Sequence, residues 1–298
     1  MHDIDLPFHT IRYPCARCTI TAKGDQKMKK QRILGFIAAA VLAATTLAGC
    51  SSSTGNAASS SATSSEPSVT LTVSAAASLT DVLKDVESAY KKAHKNVSFT
   101  NNFGASGTLQ QQIQNGADAD IFFSAAESNM DALDKAGLLL SGTRQDVVGN
   151  TIEFIIPKGQ KPITSLSELT SDRFKQIAIG NPASVPAGKY AQQILTEQNI
   201  YNSISPKLVQ GTDVRAVLNY VETGNAEGGF VFSTDAKTST KVEKGFDIPA
   251  SWQPKINYPA AVVKASKNAD AAKTFVTYLS ASDAQKIFGK YGFSKVAK

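Results

Sequence analysis

The chain has 298 residues and a mass of 31.5 kDa, with 42% hydrophobic and 19% charged side chains. This composition is typical of a folded globular protein with room for two domains, and it excludes a disordered chain, a collagen and a disulfide scaffold. The formal net charge is +6, but seven bases and three acids lie in the first 49 residues, and the remaining 24 bases and 22 acids give only +2. A body so nearly neutral lacks the clustered Lys and Arg that binding to a nucleic-acid backbone requires.

Residues 28–49 have the layout of a secretory signal peptide. A basic start, Met28-Lys29-Lys30, precedes an apolar run over residues 33–47 and a small-residue end. The ending Leu47-Ala48-Gly49-Cys50 resembles the bacterial lipobox, in which the cysteine becomes the lipidated first residue of the mature protein. We therefore expect Cys50 to be acylated. Residues 1–27 stand in front of a complete signal peptide, and we interpret them as a mis-assigned start.

The first 27 residues also contain a C-x-x-C pair, Cys15 and Cys18. A zinc site built on this pair would need a second ligand pair, for which only His2 and His9 are candidates, so zinc or redox chemistry is disfavoured. If Cys50 is acylated, the mature chain has no other cysteine and forms no intramolecular disulfide.

Residues 50–68 are predicted to be the lipidated cysteine and a flexible tether. Residues 51–68 are half serine and carry no large apolar side chain, so they cannot repay the entropy of ordering. A random coil of this length spans roughly 23 Å. A single acyl chain holds a protein only marginally, but the lipobox resemblance implies that more than one is attached. We expect the domain to stay at the outer face of the cell membrane.

After residue 68, short β-branched or aromatic runs alternate with longer helical periods. Strands are predicted at residues 70–74, 97–103, 120–124, 151–156, 176–179, 228–232 and 258–263. Helices are predicted at residues 79–94, 108–115, 128–136, 187–198, 214–223, 269–279 and 282–291. Because repeated strand–helix units favour parallel or mixed sheets covered by helices, the predicted fold class is α/β.

Four of the turns from strand to helix are rich in small residues and hydroxyls. They are residues 74–81, 102–109, 180–190 and 211–215. In the first turn Ser78 and Asp81 form a capping-box pattern, and in the fourth Thr212 or Asp213 is the predicted cap. Ligands of α/β sheets lie beyond the carboxyl ends of the strands. If the four helix starts meet in one cleft, their unpaired N–H groups and positive dipole ends would bind a small anion without a full counter-charge.

A more specific resemblance is carried by six segments. They are Val-Ser-Ala-Ala-Ala-Ser-Leu-Thr (73–80), Phe-Gly-Ala-Ser-Gly-Thr-Leu (103–109), Ala-Asp-Ile-Phe-Phe-Ser-Ala (119–125), Val-Pro-Ala-Gly-Lys-Tyr-Ala (185–191), Asp-Val-Arg (213–215) and Tyr-Pro-Ala-Ala-Val-Val (258–263). In this order they resemble the molybdate-binding proteins of ABC importers, over about residues 69–295. The resemblance implies a two-lobed periplasmic-binding-protein fold, each lobe a mixed sheet covered by helices, that closes on molybdate or tungstate held only by neutral donors.

The resemblance also implies which groups hold the anion. They are the hydroxyl and N–H groups of Ser78 and Ser106 and the backbone N–H groups of Ala187 and Val214. The family's fifth contact is usually a tyrosine hydroxyl in a V-Y-x-[ST]-D-A segment.

At the tyrosine position of that segment this chain has Phe232. Phenylalanine cannot donate a hydrogen bond, so one donor is missing unless Ser233, Thr234, a nearby tyrosine or a water replaces it. A hydrogen bond to a charged group contributes about 1.5–3 kcal/mol, which corresponds to a roughly 10- to 150-fold change in affinity.

The family's C-terminal segment returns to the first lobe, so the chain is expected to cross between lobes near residues 148–151 and 255–258. Lobe 1 then comprises residues 69–149 and 257–298, and lobe 2 comprises residues 150–256. Closure about two such connections is hinge motion. The expected function is capture of molybdate, and of tungstate, outside the cell and delivery to an ABC permease. We expect a monomer without a cofactor, without metal directly ligated by the protein and without catalytic activity.

Another anion remains an alternative ligand. Monohydrogen phosphate carries a proton that an all-donor site would leave unpaired, although Asp81, Asp213 or Asp235 could supply an acceptor. Sulfate has the charge and shape of molybdate, and its rejection rests on the resemblance. A site for a small organic anion usually needs an arginine or an acid aimed at the ligand, and the nearest candidate is Arg215.

An enzyme is the competing class of protein. A serine hydrolase using Ser78 or Ser106 would need an adjacent base, most often histidine. After processing only His94 remains, in a basic helix end. The segment around Ser106, Gly-Ala-Ser-Gly-Thr, also departs from the G-x-S-x-G nucleophile elbow.

Overall fold

The computed structural model describes residues 67–296. The predictions for the signal peptide, for Cys15 and Cys18, for the acylation of Cys50 and for nearly all of the tether lie outside the described residues. None of the helices within residues 67–296 is long and apolar enough to cross a membrane.

The first sheet contains five strands in the order β2-β1-β3-β10-β4. Their bounds are β1 Val69–Ala76, β2 Val97–Gly104, β3 Ile121–Phe123, β4 Gln145–Gly149 and β10 Asn257–Val262. β1 pairs in parallel with both β2 and β3, and β10 runs antiparallel to β3 and β4. The sheet is therefore mixed. Its strands β3 and β10 are short apolar runs that are buried at every residue, as expected for strands covered on both faces.

The second sheet repeats this arrangement in the order β7-β6-β8-β5-β9. Its strands are β5 Ile152–Pro157, β6 Ile177–Gly180, β7 Leu208–Gly211, β8 Gly228–Phe232 and β9 Val242–Phe246. β6 is parallel to β7 and β8, whereas β5 is antiparallel to β8 and β9. The two sheets are thus built to one plan, a parallel three-stranded part extended by two strands that make antiparallel pairs.

Helices cover both sheets. They are α1 Thr80–Ala93, α2 Ser106–Gln114, α3 Glu127–Lys135, α4 Pro186–Glu197, α5 Tyr201–Ile204, α6 Val214–Glu222, α7 Ser233–Ala236, α8 Ala269–Leu279 and α9 Ser282–Lys290. The long helices bury one apolar stripe each; in α6 this stripe is Val214, Val217, Leu218 and Val221, at the spacing of a helix face. The α/β fold class, with two mixed sheets covered by helices, is confirmed.

The chain passes from the first sheet to the second between β4 and β5, and returns between β9 and β10. We keep the predicted division, residues 69–149 with 257–298 and residues 150–256, as the working definition of lobe 1 and lobe 2. The cleft between these lobes is where the carboxyl ends of β1, β2, β6, β7 and β8 lead into the helices that follow them.

Candidate anion-binding site

A small cavity lies where the predicted helix starts meet. Its lining residues are Ala76, Ala77, Ser78, Gly104, Ala105, Ser106, Ala125, Val185, Pro186, Val214 and Phe232. The first seven belong to lobe 1 and the last four to lobe 2, so both lobes enclose the cavity. Four of the five predicted positions line the cavity: Ser78, Ser106, Val214 and Phe232. The fifth, Ala187, does not line it, although Pro186 just before it does. The cavity is small: its volume of about 10 Å³ is close to the minimum that one water molecule requires.

Ser78 lies in a short 3-10 turn (Ala77–Leu79) between β1 and α1 and is buried. Its Oγ is 3.0 Å from the hydroxyl oxygen of Tyr258. The predicted capping box is wrong, because the 3-10 turn shifts the start of α1 to Thr80 and no side chain caps that helix. The Ser78 side chain consequently turns toward the cavity and Tyr258, and Asp81 is free to pair elsewhere.

Ser106 is the first residue of α2 and is completely buried. Its Oγ accepts a hydrogen bond of 2.9 Å from the backbone N–H of Ala125, which follows β3. Because a serine hydroxyl has one proton and two acceptor positions, this contact leaves the O–H of Ser106 available as a donor. The backbone N–H of Ser106 lies in the first turn of α2, where it has no intrahelical acceptor.

Lobe 2 contributes two further helix starts. Asp213 is the N-cap of α6, and its carboxylate accepts from the N–H groups of Arg215 and Ala216 at 2.8 and 2.9 Å. The cap leaves the first N–H of α6, that of Val214, without an intrahelical acceptor. Ala187 is the second residue of α4, and Pro186 before it has no N–H, so Ala187 supplies the first donor of that helix.

Phe232 ends β8 and its ring packs edge-on against Tyr258, with ring centroids 5.5 Å apart. The ring lines the cavity but offers no donor. Tyr258 is completely buried and does not line the cavity, and its hydroxyl reaches the site through Ser78. Its segment, residues 258–263, is part of the family resemblance, but the sequence predicts no role in the site for Tyr258.

Next to the cavity, Arg215 joins two carboxylates. Its guanidinium is 2.9 Å from Asp81 of α1 and 2.6 Å from Asp235 of α7, so the first of these pairs connects lobe 1 with lobe 2. Asp235 is completely buried, and burial raises its pKa to about 7 in spite of the opposing effect of Arg215. Asp213 caps α6. Each of the three carboxylates that could accept a proton from phosphate, Asp81, Asp213 and Asp235, is therefore already paired with another group.

No charged side chain lines the cavity. Arg215, the predicted anchor for an organic anion, is turned to the two carboxylates instead. Within residues 67–296, no group of three His, Cys, Asp or Glu side chains could hold a metal ion. What the cavity offers to a ligand is hydroxyl and backbone N–H donors.

His94, the one candidate base for a serine nucleophile, follows the carboxyl end of α1 and stacks on Tyr90, with ring centroids 4.0 Å apart. Ser78 precedes the other end of this 14-residue helix, which spans about 21 Å at the usual rise per residue. His94 therefore lies far from the cavity and cannot activate Ser78.

Comparisons with known proteins agree with this architecture. Residues 71–294 match the family described as bacterial extracellular solute-binding proteins. A Bacillus subtilis protein, YvgL, whose assignment as an ABC transporter substrate-binding lipoprotein is itself provisional, is 43% identical over 86% of this chain and 96% of its own. The molybdate-binding protein ModA of Escherichia coli is 38% identical over 75% of this chain and 88% of its own.

Among solved structures, the substrate-binding domain of a provisionally assigned molybdenum ABC transporter from Clostridium difficile has a TM-score of 0.60 and 43% identity. The match covers 77% of this chain and 100% of that chain. The family match and these identities, over nearly the whole described part, establish homology. The chain belongs to the bacterial extracellular solute-binding proteins, in the group that includes the molybdate-binding protein ModA.

Proposed function

We propose that this solute-binding protein captures molybdate, and tungstate, in the cleft between its lobes and delivers the anion to the permease of an ABC importer. The proposal is carried by one observation: the cavity is lined from both lobes by serine hydroxyls and helix starts, and by no charged side chain. Ser78, Ser106 and Val214, together with the N–H of Ala187, are the proposed donors. Neutral donors at helix N-termini hold a dianion without a counter-charge.

Selectivity against phosphate follows from the same donor set. The proton of monohydrogen phosphate needs an acceptor, and Asp81, Asp213 and Asp235 are engaged with other groups outside the cavity lining. A buried proton without an acceptor costs about 1–3 kcal/mol. Sulfate and small organic anions are the alternatives. Sulfate presents the same charge and shape, whereas an organic anion is disfavoured because Arg215 is paired with Asp81 and Asp235.

The proposal places the protein outside the cell. Its family is extracellular, and we propose that Cys50 is lipidated and that the serine-rich residues 51–68 hold the monomeric domain near the membrane. The ligand is cargo, so no cofactor takes part in its capture and release.

The direct test is calorimetric titration of the purified protein, stripped of bound anion, with molybdate, tungstate, sulfate and phosphate. Tight binding of molybdate and tungstate with no heat from sulfate and phosphate is expected. Binding of sulfate or phosphate alone would transfer the function to another oxyanion, and an absence of binding to all four would contradict the proposal.

Phe232→Tyr tests the missing donor. Phe232 lines the cavity, and we expect a hydroxyl added to its ring to reach the anion. Calorimetry should show that molybdate binds about tenfold more tightly. This factor is the lower end of the gain in affinity expected from one hydrogen bond to a charged group. Equal affinity would mean that another group already fills this position. Phe230→Tyr, on the same strand but away from the cavity lining, is the control and should not improve binding.

Asp81→Asn tests the ion pair between the lobes. Arg215 and Asp81 are 27% and 36% exposed, so the pair contributes only about 0.2–1 kcal/mol to the closed form. We expect molybdate affinity to fall by no more than about fivefold at low salt, and the difference from wild type to disappear at high salt. Asp283→Asn removes a pair within α9 and should leave affinity unchanged. An equal loss in both variants would show that the Asp81 pair has no specific effect on closure.

A further inference from the structure

A chain of hydrogen bonds leads from the first lobe crossing to the cavity. It begins at Asn150, between β4 and β5, whose side-chain oxygen accepts from the backbone N–H of Thr151 at 2.9 Å and from the hydroxyl of Ser233 at 3.0 Å. A backbone N–H can only donate, so the oxygen and the nitrogen of this amide are assigned without ambiguity. The amide nitrogen of Asn150 must therefore be the donor toward its other partners.

Those partners are the hydroxyls of Thr234, at 2.9 Å, and of Tyr258, at 3.1 Å. Tyr258 lies at the second lobe crossing, in β10. Because its oxygen accepts from Asn150, its single proton is directed to another acceptor, and the Oγ of Ser78 lies 3.0 Å away. Burial raises the pKa of Tyr258 well above its ordinary value, so the hydroxyl keeps this proton at neutral pH.

The last link is Ser78. When its oxygen accepts from Tyr258, its own proton is free to point into the cavity that Ser78 lines. We propose that Tyr258 is a positioning residue: by donating to the Ser78 oxygen, it directs the Ser78 proton to the bound oxyanion. This donor matters at a site where Phe232 supplies no hydroxyl. This inference rests on the proposed function. Tyr258 acts through Ser78, because it does not itself line the cavity.

The direction of these hydrogen bonds affects the choice between molybdate and phosphate. A serine oxygen that accepts from Tyr258 keeps one further acceptor position, and its proton is turned to the cavity, so it is a poorer acceptor for the proton of monohydrogen phosphate. Any one of the four molybdate oxygens can accept from Ser78 without such a conflict. Without the Tyr258 hydroxyl, Ser78 can rotate and accept that proton. Loss of Tyr258 should therefore weaken molybdate binding and relax the rejection of phosphate together.

The test is Tyr258→Phe, which removes the hydroxyl and keeps the ring that packs against Phe232 and Phe293. Calorimetry should show molybdate binding about 5- to 10-fold weaker than in the wild type, the effect of one hydrogen bond. The ratio of molybdate to phosphate affinity should fall by more than this factor. Tyr90→Phe is the matched control, a buried tyrosine of lobe 1 in an aromatic cluster with Phe99 and Phe275, and it should leave both values unchanged.

A double-mutant cycle with Ser78→Ala separates positioning from a general effect on the fold. If Tyr258 acts through Ser78, adding Tyr258→Phe to Ser78→Ala should cause no further loss of molybdate affinity. Additive losses, or unchanged affinity and selectivity in Tyr258→Phe alone, would overturn the inference. A wild-type protein that binds no oxyanion would instead refute the proposed function, so the two failures are distinguishable. Thermal unfolding of each variant verifies that it is folded.

Discussion

Gly107→Ala is expected to weaken molybdate binding by about 10- to 100-fold while leaving the protein without ligand at least as stable as the wild type. Gly107 is the second residue of α2 in lobe 1, and its N–H donates to the carbonyl oxygen of Ser184 in lobe 2 at 2.9 Å. A Cβ at this position would lie 2.7 Å from that oxygen and 2.8 Å from the Ser184 Cα. Overpacking against backbone typically costs about 1–3 kcal/mol, and here the clash arises only when the lobes meet.

The open form escapes this penalty, because separation of the lobes removes Ser184 from the new methyl group. Alanine also favours a helix over glycine. The measurements are calorimetric affinity and the thermal unfolding temperature without ligand. Gly289→Ala is the control, a helical glycine of α9 with nothing within 4 Å of an added Cβ, and it should keep wild-type affinity. Wild-type affinity in Gly107→Ala would show that the bound state does not contain this contact between lobes.

Ser106→Ala is expected to reduce molybdate affinity by roughly 10- to 150-fold, the loss of one hydrogen bond to a charged group. A second effect should accompany it. The Oγ of Ser106 is the acceptor for the buried N–H of Ala125, and leaving that N–H unpaired costs about 1–3 kcal/mol of folding free energy. We therefore expect a lower unfolding temperature in addition to the weaker binding.

Ser282→Ala is the matched control for this variant. Ser282 is likewise the first residue of a helix without a side-chain cap, but it is exposed and is not one of the residues that line the cavity. It should change neither affinity nor unfolding temperature appreciably. Unchanged molybdate affinity in Ser106→Ala would remove Ser106 from the proposed set of donors, whatever its effect on stability.

The fold was predictable wherever a segment is buried on both faces or amphipathic. β1 alternates apolar and hydroxyl residues, β8 is a short apolar run buried throughout, and α8 has a clear helical period. The strands that were not predicted, β4, β7 and β9, all lie at sheet edges. β9, Val-Glu-Lys-Gly-Phe, has a glycine and two charged residues, so local sequence carries little strand signal, and pairing with β5 determines its structure.

The site was predictable to the extent that it depends on local turns. Ser106 and Val214 stand at helix starts that can be recognised from neighbouring residues. The hydrogen bond between Ser78 and Tyr258 joins residues 180 positions apart, and the Asp81–Arg215 pair joins α1 to α6 across the lobes. Such contacts depend on how the two lobes and both crossings come together, and no local pattern encodes them. The predicted capping role of Ser78 is wrong for a local reason, the 3-10 turn over Ala77–Leu79 that moves the start of α1 to Thr80.

The measurement that tests the central claim most directly is X-ray anomalous diffraction from a crystal of the protein grown with tungstate. The account predicts a single tungsten peak in the cavity between the lobes, with its oxygens within hydrogen-bonding distance of the Ser78 and Ser106 hydroxyls and of the N–H groups of Ala187 and Val214. No lysine or arginine should contact the anion. A peak elsewhere, or an anion held by the Arg215 guanidinium, would contradict the claim that neutral donors from both lobes bind the oxyanion.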